Sequence, residues 1–256
     1  MKNFSKLIIP FVVLALSSCT TTNIAVLGSY NYNESSRYVE LTENYDFSSK
    51  EISSFSIDYI SGYINITQEG DEFKMYEKQL DSKKFFPCYY LVESNSVDIK
   101  FVKNGTTNEE MKYLQKEIYI TIPTSFSSID IDVVSTSINA ANIEIENLNI
   151  DSVGGDTTIS KIKFNNINLN SVGGSLTIKE VTSTSTCYLN MDTTGGNLEV
   201  GIKEELGYKV SFDTVGGAFS SDFNSKEYGN KLLNIDFDSV GGSCRIKKVN
   251  GWWIDL

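Results

Sequence analysis

The sequence predicts an all-β, single-domain β-solenoid of about seven rungs of roughly 20 residues, joined at Gly-Gly turns. Three observations predict it: five internal copies of one block, period-two alternation of apolar and polar residues in each copy, and a glycine pair at the centre of every copy. A unit this small cannot bury its apolar face alone, whereas stacked neighbours bury it together.

The copies are Leu148–Ile159, Ile167–Ile178, Leu189–Val200, Val210–Ser221 and Ile235–Ile246. Their turns hold Gly154-Gly155, Gly173-Gly174, Gly195-Gly196, Gly216-Gly217 and Gly241-Gly242, with first glycines spaced by 19, 22, 21 and 25 residues. Two weaker copies stand upstream, at Ile131–Thr136, with Ser-Thr in place of the glycines, and at Ile57–Gly62. Alternation makes each block strand, turn, strand, with Leu148/Ile150, Ile167/Leu169, Leu189/Met191, Val210/Phe212 and Ile235/Phe237 facing inward before the turn. The glycine pair is expected to make the bend by reaching positive φ. Seven rungs at strand spacing give a column about 35 Å long.

Stacking aligns Asp58, Asp132, Asp151, Asn170, Asp192, Asp213 and Asp238 three places before each turn, followed by Ser or Thr. Carboxylates on neighbouring strands repel unless a cation or hydrogen bonds intervene, so a calcium ladder competes with Asx-type capping of the turn amides. Asn170 interrupts the acids without breaking the repeat, so Asp132, Asp151, Asn170, Asp192, Asp213 and Asp238 are expected to be turn caps, and no metal is expected.

Cys19, Cys88, Cys187 and Cys244 form no Cys-x-x-Cys pair, and the chain holds no histidine. That removes the usual Cys/His zinc sites and every Ser-His or Cys-His nucleophile. Cys187 and Cys244 share inward parity but lie two rungs apart, beyond disulfide reach, and are expected to be buried free thiols.

Ahead of the repeats, residues 51–127 carry strand patterns at 55–67, 72–80, 88–92, 97–102 and 116–122, and a stretch near 108–117 with one or two helical turns. The aromatic stretch 83–90 is expected to pack as a cap at one end, and residues 251–256, with Trp252 and Trp253, to close the other. Residues 128–250 are the regular repeats. Residues 19–50 are polar and read as a flexible tether.

The first 18 residues combine Lys2 and Lys6 with the apolar run Leu7–Leu16, too short to span a bilayer but suited to a cleaved signal peptide. Leu16-Ser17-Ser18-Cys19 resembles the bacterial lipobox, which implies cleavage before Cys19 and its acylation with diacylglycerol and palmitate. The resemblance implies a cell-envelope location, anchored by lipid; Thr20 in place of a retention aspartate points to the outer membrane where one exists. Removing the leader moves the formal charge from −11 to −13, and the acids are dispersed, which makes nucleic acid an unsuitable partner.

Ser61-Gly62-Tyr63-Ile64-Asn65-Ile66, Val97–Phe101, Tyr119-Ile120-Thr121-Ile122-Pro123 and the ladder of Ser-Val-Gly-Gly turns resemble the bacterial putative-adhesin family of β-strand-repeat proteins, relatives of the head-GIN domain, over about residues 52–250. The resemblance implies a surface binding or scaffold module, with an extracellular glycan or protein as ligand. From the residues themselves, no cofactor and no catalytic residue are expected. A polysaccharide-acting β-helix enzyme would need two specialised carboxylates, whereas the acids here occupy equivalent positions on successive rungs. An envelope-stress accessory role is compatible with the same residues.

Overall fold

A computed structural model describes residues 28–41, 47, 51–80, 84–203, 205–223 and 231–249. The signal peptide, Cys19 and the closing segment 251–256 lie outside the described residues.

The described strands form one sheet that winds around a single core, and each repeat contributes one strand to each of its two parallel stacks, called below the first and the second sheet. On the first sheet the stack runs β5 (Ser96–Lys100), the first half of β2 (Ser54–Gln68), the first half of β7 (Ser128–Ala141), β9 (Asn147–Gly154), β12 (Asn166–Ser171), β14 (Cys187–Thr193), β18 (Leu232–Ser239) and β16 (Gly207–Thr214). On the second it runs β6 (Lys116–Ile122), the second halves of β2 and β7, β10 (Thr157–Ile159), β13 (Leu176–Val181), β15 (Leu198–Ile202), β19 (Cys244–Lys248) and β17 (Phe219–Ser221). Short strands β8 (Ile143–Glu144) and β11 (Ile162–Lys163) continue the stack past the second sheet. The column therefore holds eight rungs; the β5/β6 rung adds one to the seven counted from sequence.

Rung order departs from chain order at both ends. The last copy, β18/β19, inserts between β14/β15 and β16/β17, and β2 lies between the later β5/β6 and β7. Every copy carries the same inward pattern and turn, so the copies are interchangeable in register and nothing local dictates sequential stacking. Cys187 and Cys244 consequently sit on adjacent rungs, not two apart; both are buried free thiols, as is Cys88.

Inside the column the inward positions form files of aliphatic side chains, such as Ile57, Ile131, Ile150, Leu169 and Met191, all almost fully buried. Burying such side chains contributes about 1.5–3 kcal/mol each before entropy is counted.

Antiparallel strands close the N-terminal end. β3 (Lys74–Gln79) pairs with β6, β4 (Tyr89–Glu93) with β5, and β1 (Val39–Glu40) with β4. Cys88 and Tyr90 are buried there, and the Phe47 ring meets Phe73 and Tyr90 edge-on at 5.2 and 5.6 Å. One helical turn, α1 (Asn108–Met111), starts from a Thr107/Glu110 capping box.

The expected tether is corrected over residues 28–41, which lie along the solenoid. Tyr30 exchanges backbone hydrogen bonds with Thr106 and Gly105, Leu41 N–H donates to Cys88 O at 2.8 Å, and the Tyr38 hydroxyl donates to Asp98. The tyrosines supply contact area that a polar tether lacks: Tyr32 packs on Tyr30 and Tyr38 at 5.6 and 4.7 Å.

Candidate functional surface

The turns are built differently from expectation. Of the glycine pairs only Gly155 adopts positive φ, at 96°. The second glycine of each pair is required by contact between rungs: a Cβ on Gly155, Gly174, Gly196, Gly242 or Gly217 would stand 1.7–2.1 Å from a carbonyl oxygen of the adjacent rung. A Cβ on the first glycines, Gly154, Gly173, Gly195, Gly216 and Gly241, meets nothing closer than 3.5 Å. Where the sequence has Ser135-Thr136, Thr136 enters the same file and its Oγ1 donates to Tyr59 O at 3.4 Å.

The turn amides are capped by the hydroxyl residue, not by the acid before it. Gly174 N–H donates to Ser171 Oγ at 2.7 Å, Gly196 N–H to Thr193 Oγ1 at 2.9 Å, Gly217 N–H to Thr214 Oγ1 at 3.1 Å and Gly242 N–H to Ser239 Oγ at 2.6 Å. Strand parity is the reason. Ser171 and Thr193 point inward beneath the turn, while Asp132, Asp151, Asn170, Asp192, Asp213 and Asp238 point to the outer face of the first sheet.

On that face the acids do form one file, in the order Lys100, Asp58, Asp132, Asp151, Asn170, Asp192, Asp238, Asp213. Lys100 Nζ ends it, 2.6 Å from Asp58 Oδ2 and 3.1 Å from Asp98 Oδ1. Asn170 Nδ2 donates to Asp151 Oδ1 at 2.7 Å. Desolvation and the neighbouring Asp58 and Asp151 push the Asp132 carboxyl up to about 6. Asp192 and Asp238 are raised by desolvation first and then by neighbouring acids. Beside this file runs an amide ladder. Asn149 donates to Asp130, Asn168 to Asn149 and Asn190 to Asn168, at 2.6–2.8 Å. Among the described residues no group of three or more Asp, Glu or Cys is placed to hold a metal ion.

The outer face of the second sheet carries an aromatic patch at its N-terminal end. Tyr76 on the edge strand β3 lies opposite Tyr119 on β6, rings parallel to within 4° and 4.6 Å apart. Tyr76 is 56% exposed. Tyr63, on β2, stands beside Glu117, which accepts a hydrogen bond from the Tyr119 hydroxyl at 2.9 Å, and Asn65 stands beside Tyr119. Lys78 is opposite Glu117. From sequence, Tyr76 was not singled out and Tyr63 and Tyr119 entered only as parts of the family-like motifs, although each falls on an outward position of its strand.

A buried ion pair was also missed. Lys116 and Glu77 are enclosed, with Nζ 3.0 Å from Glu77 Oε2, 2.9 Å from Phe86 O and 3.2 Å from Cys88 Sγ. Nζ also donates to Phe101 O and sits 4.5 Å from the Phe101 ring centroid. Burial pushes the Cys88 thiol well up, against the pull of the Lys116 charge. The parity of Lys116 with Ile118, Ile120 and Ile122 was the available signal.

A groove of about 590 Å³ runs along a corner of the solenoid, lined mainly by Ser, Thr and Glu side chains, including Ser125, Ser127, Glu144 and Glu146.

Among solved structures, one from Clostridium sporogenes ATCC 15579, described as a putative cell adhesion protein, is similar to 83% of this chain over 98% of its own, at 13% identity and a TM-score of 0.50. A putative adhesin from Bacteroides fragilis NCTC 9343 aligns over 83% of this chain and 97% of its own, at 16% identity and a TM-score of 0.43. No curated protein matches the chain. The Toastrack DUF4097 family model matches residues 52–202, from just before β2 to the end of β15. The family model covers more than half of the sequence, and the chain belongs to the Toastrack DUF4097 family.

Proposed function

We propose that this is a lipid-anchored cell-envelope protein whose solenoid is an adhesin-like binding module without enzymatic activity. The observation that carries the binding reading is the Tyr76/Tyr119/Tyr63 patch, an exposed aromatic surface on a rigid sheet, edged by Glu117, Asn65 and Lys78. Aromatic faces take the CH-rich side of a sugar ring, and carboxylate and amide groups beside them bond its hydroxyls. A neutral glycan is thus the ligand class that fits. The adhesion wording attached to the Clostridium sporogenes structure agrees with this reading. The absence of enzymatic activity is supported by the acids, which repeat in equivalent positions from rung to rung.

The anchor reading rests on Leu16-Ser17-Ser18-Cys19. Cys19→Ala should release the protein from the membrane fraction; persistent attachment counts against the anchor. A glycan and matrix-protein array tests the module. Binding that Tyr76→Ala and Tyr63→Ala abolish supports the patch, and binding that survives both removes it. Polysaccharide turnover lost on a single Asp or Glu substitution would overturn the non-enzymatic reading.

A further inference from the structure

The enclosed Lys116–Glu77 pair shares its space with a thiol. Lys116 stands on β6 and Glu77 on β3, and Cys88 leads into β4, which pairs with β5 of the first rung. Lys116 and Cys88 are 0% exposed and the Glu77 side chain 3%. Lys116 Nζ lies 3.2 Å from Cys88 Sγ, 3.0 Å from Glu77 Oε2 and 2.9 Å from Phe86 O, and it also donates to Phe101 O. Four acceptors thus surround three N–H bonds, and the nitrogen is held against the sulfur. Glu77 faces the cysteine as well: its Oε1 accepts the Cys88 backbone N–H at 2.5 Å, and its carboxylate accepts the thiol hydrogen bond. The Tyr59 hydroxyl is buried beside them with no hydrogen-bond partner among the described residues, and Nζ stands 5.8 Å from the Tyr59 ring.

This arrangement joins three things that an oxidative cross-link needs. The amine nitrogen is at near-attack distance from the sulfur, about 3–3.5 Å for well-placed reactants. A carboxylate touches both the amine and the thiol and can take a proton from either. No second thiol competes: Cys187 and Cys244 lie on rungs in the far half of the column, buried and unpaired. A cysteine oxidised to its sulfenic acid condenses with a thiol where one is in reach, and otherwise with a nitrogen to give a sulfenamide.

We propose that Cys88 and Lys116 are an oxidative cross-linking site, at which hydrogen peroxide joins them through a sulfenamide bond. In the first step the Cys88 sulfur attacks peroxide. An S–O bond forms and the O–O bond breaks; sulfur is oxidised, peroxide is reduced, and the thiol proton leaves with the departing hydroxide as water. In the second step Glu77 takes the extra proton of the Lys116 ammonium, and the neutral amine attacks the sulfenic sulfur. An N–S bond forms, the S–O bond breaks, and hydroxide leaves as water with an amine proton; nothing is oxidised in this step. Burial holds the thiol protonated, so the first step is the slow one, and it restricts the oxidant to a small uncharged molecule. The product ties β6 covalently to the segment that enters β4, fixing the antiparallel cap to the first rung. It also replaces an enclosed charge pair by neutral groups.

The test treats the full-length chain in detergent with hydrogen peroxide, folded or in urea, then alkylates and proteolyses it for mass spectrometry. The folded chain should yield a fragment joining the Cys88 and Lys116 peptides, lighter by two hydrogen atoms than their sum and separated again by dithiothreitol. The chain in urea should yield several-fold less, because only the fold holds the two groups together. Cys88 recovered from the folded chain as thiol or sulfinic acid, with Lys116 unmodified, overturns the proposal. A joined fragment that retains an oxygen atom overturns the condensation step and assigns an N–O–S link. Lys116→Met with Glu77→Leu keeps the enclosure neutral and removes the nucleophile. In that variant the sulfenic acid should persist and be trapped by dimedone several-fold more than in the wild type; a yield no higher than the wild type's counts against capture by Lys116.

Discussion

A Cβ on Gly174 would lie 2.1 Å from the carbonyl oxygen of Gly155 on the rung before it. The rungs touch at this file, so the second glycine is held by its neighbour's backbone and the first is not. Gly174→Ala should cost about 1–3 kcal/mol, the usual range for overpacking, whereas Gly173→Ala stays within about 0.5 kcal/mol. Urea unfolding of the two variants checks the contrast; equal losses would return the requirement to the bend itself.

Capping by hydroxyls separates Thr193 from Asp192. Thr193→Val leaves the buried Gly196 amide without its acceptor and should destabilise by about 1–3 kcal/mol. Asp192→Asn relieves repulsion from Asp238 and Asp236 and should raise the melting temperature slightly at pH 7, less so at high salt. Thermal melts of both variants at low and high ionic strength measure this.

The Lys116–Glu77 pair should behave as an enclosed charge pair. Lys116→Ala strands the Glu77 carboxylate and should cost about 3–5 kcal/mol, while Lys116→Met with Glu77→Leu recovers most of that loss. Chemical denaturation of the single and double variants decides it: a double variant as unstable as the single one removes the argument.

Asp132 gives the acid file a pH signature. Its carboxyl is raised from 3.8 to about 6, so between these values the folded chain binds more protons than the unfolded one. The stability it contributes is present below about pH 4 and is lost as pH rises through about 6. Relative to Asp132→Asn, the wild-type melting temperature should therefore fall across this window. Parallel profiles for the two proteins would contradict the shift.

Much of this architecture was legible because the inward residues alternate without interruption: Leu148/Ile150 and Ile167/Leu169 could face only one way. The caps were assigned to the acids, although Ser171 and Thr193, and not the acids before them, share that inward parity. Rung order was not legible. Ile235 and Val210 fit equally beside Leu189, and only the whole column decides that Ile235 takes the place. The docking of Tyr30 and Tyr38 depended on long-range partners at Thr106 and Asp98, which no local pattern announces. The tyrosine patch was hidden for the same reason: Tyr76 and Tyr119 are 43 residues apart and meet only through the antiparallel edge.

The out-of-order rungs have a mechanical consequence. In a sequentially wound column, tension on a chain end peels the outermost coil, breaking hydrogen bonds one at a time. Here, among the described residues, the first solenoid strand, β2, and the last, β19, are each bonded along both edges, so traction toward either terminus loads two ladders in shear at once. A molecule wound this way yields by sudden rupture rather than gradual unravelling, a useful property in any body held at one end and pulled at the other.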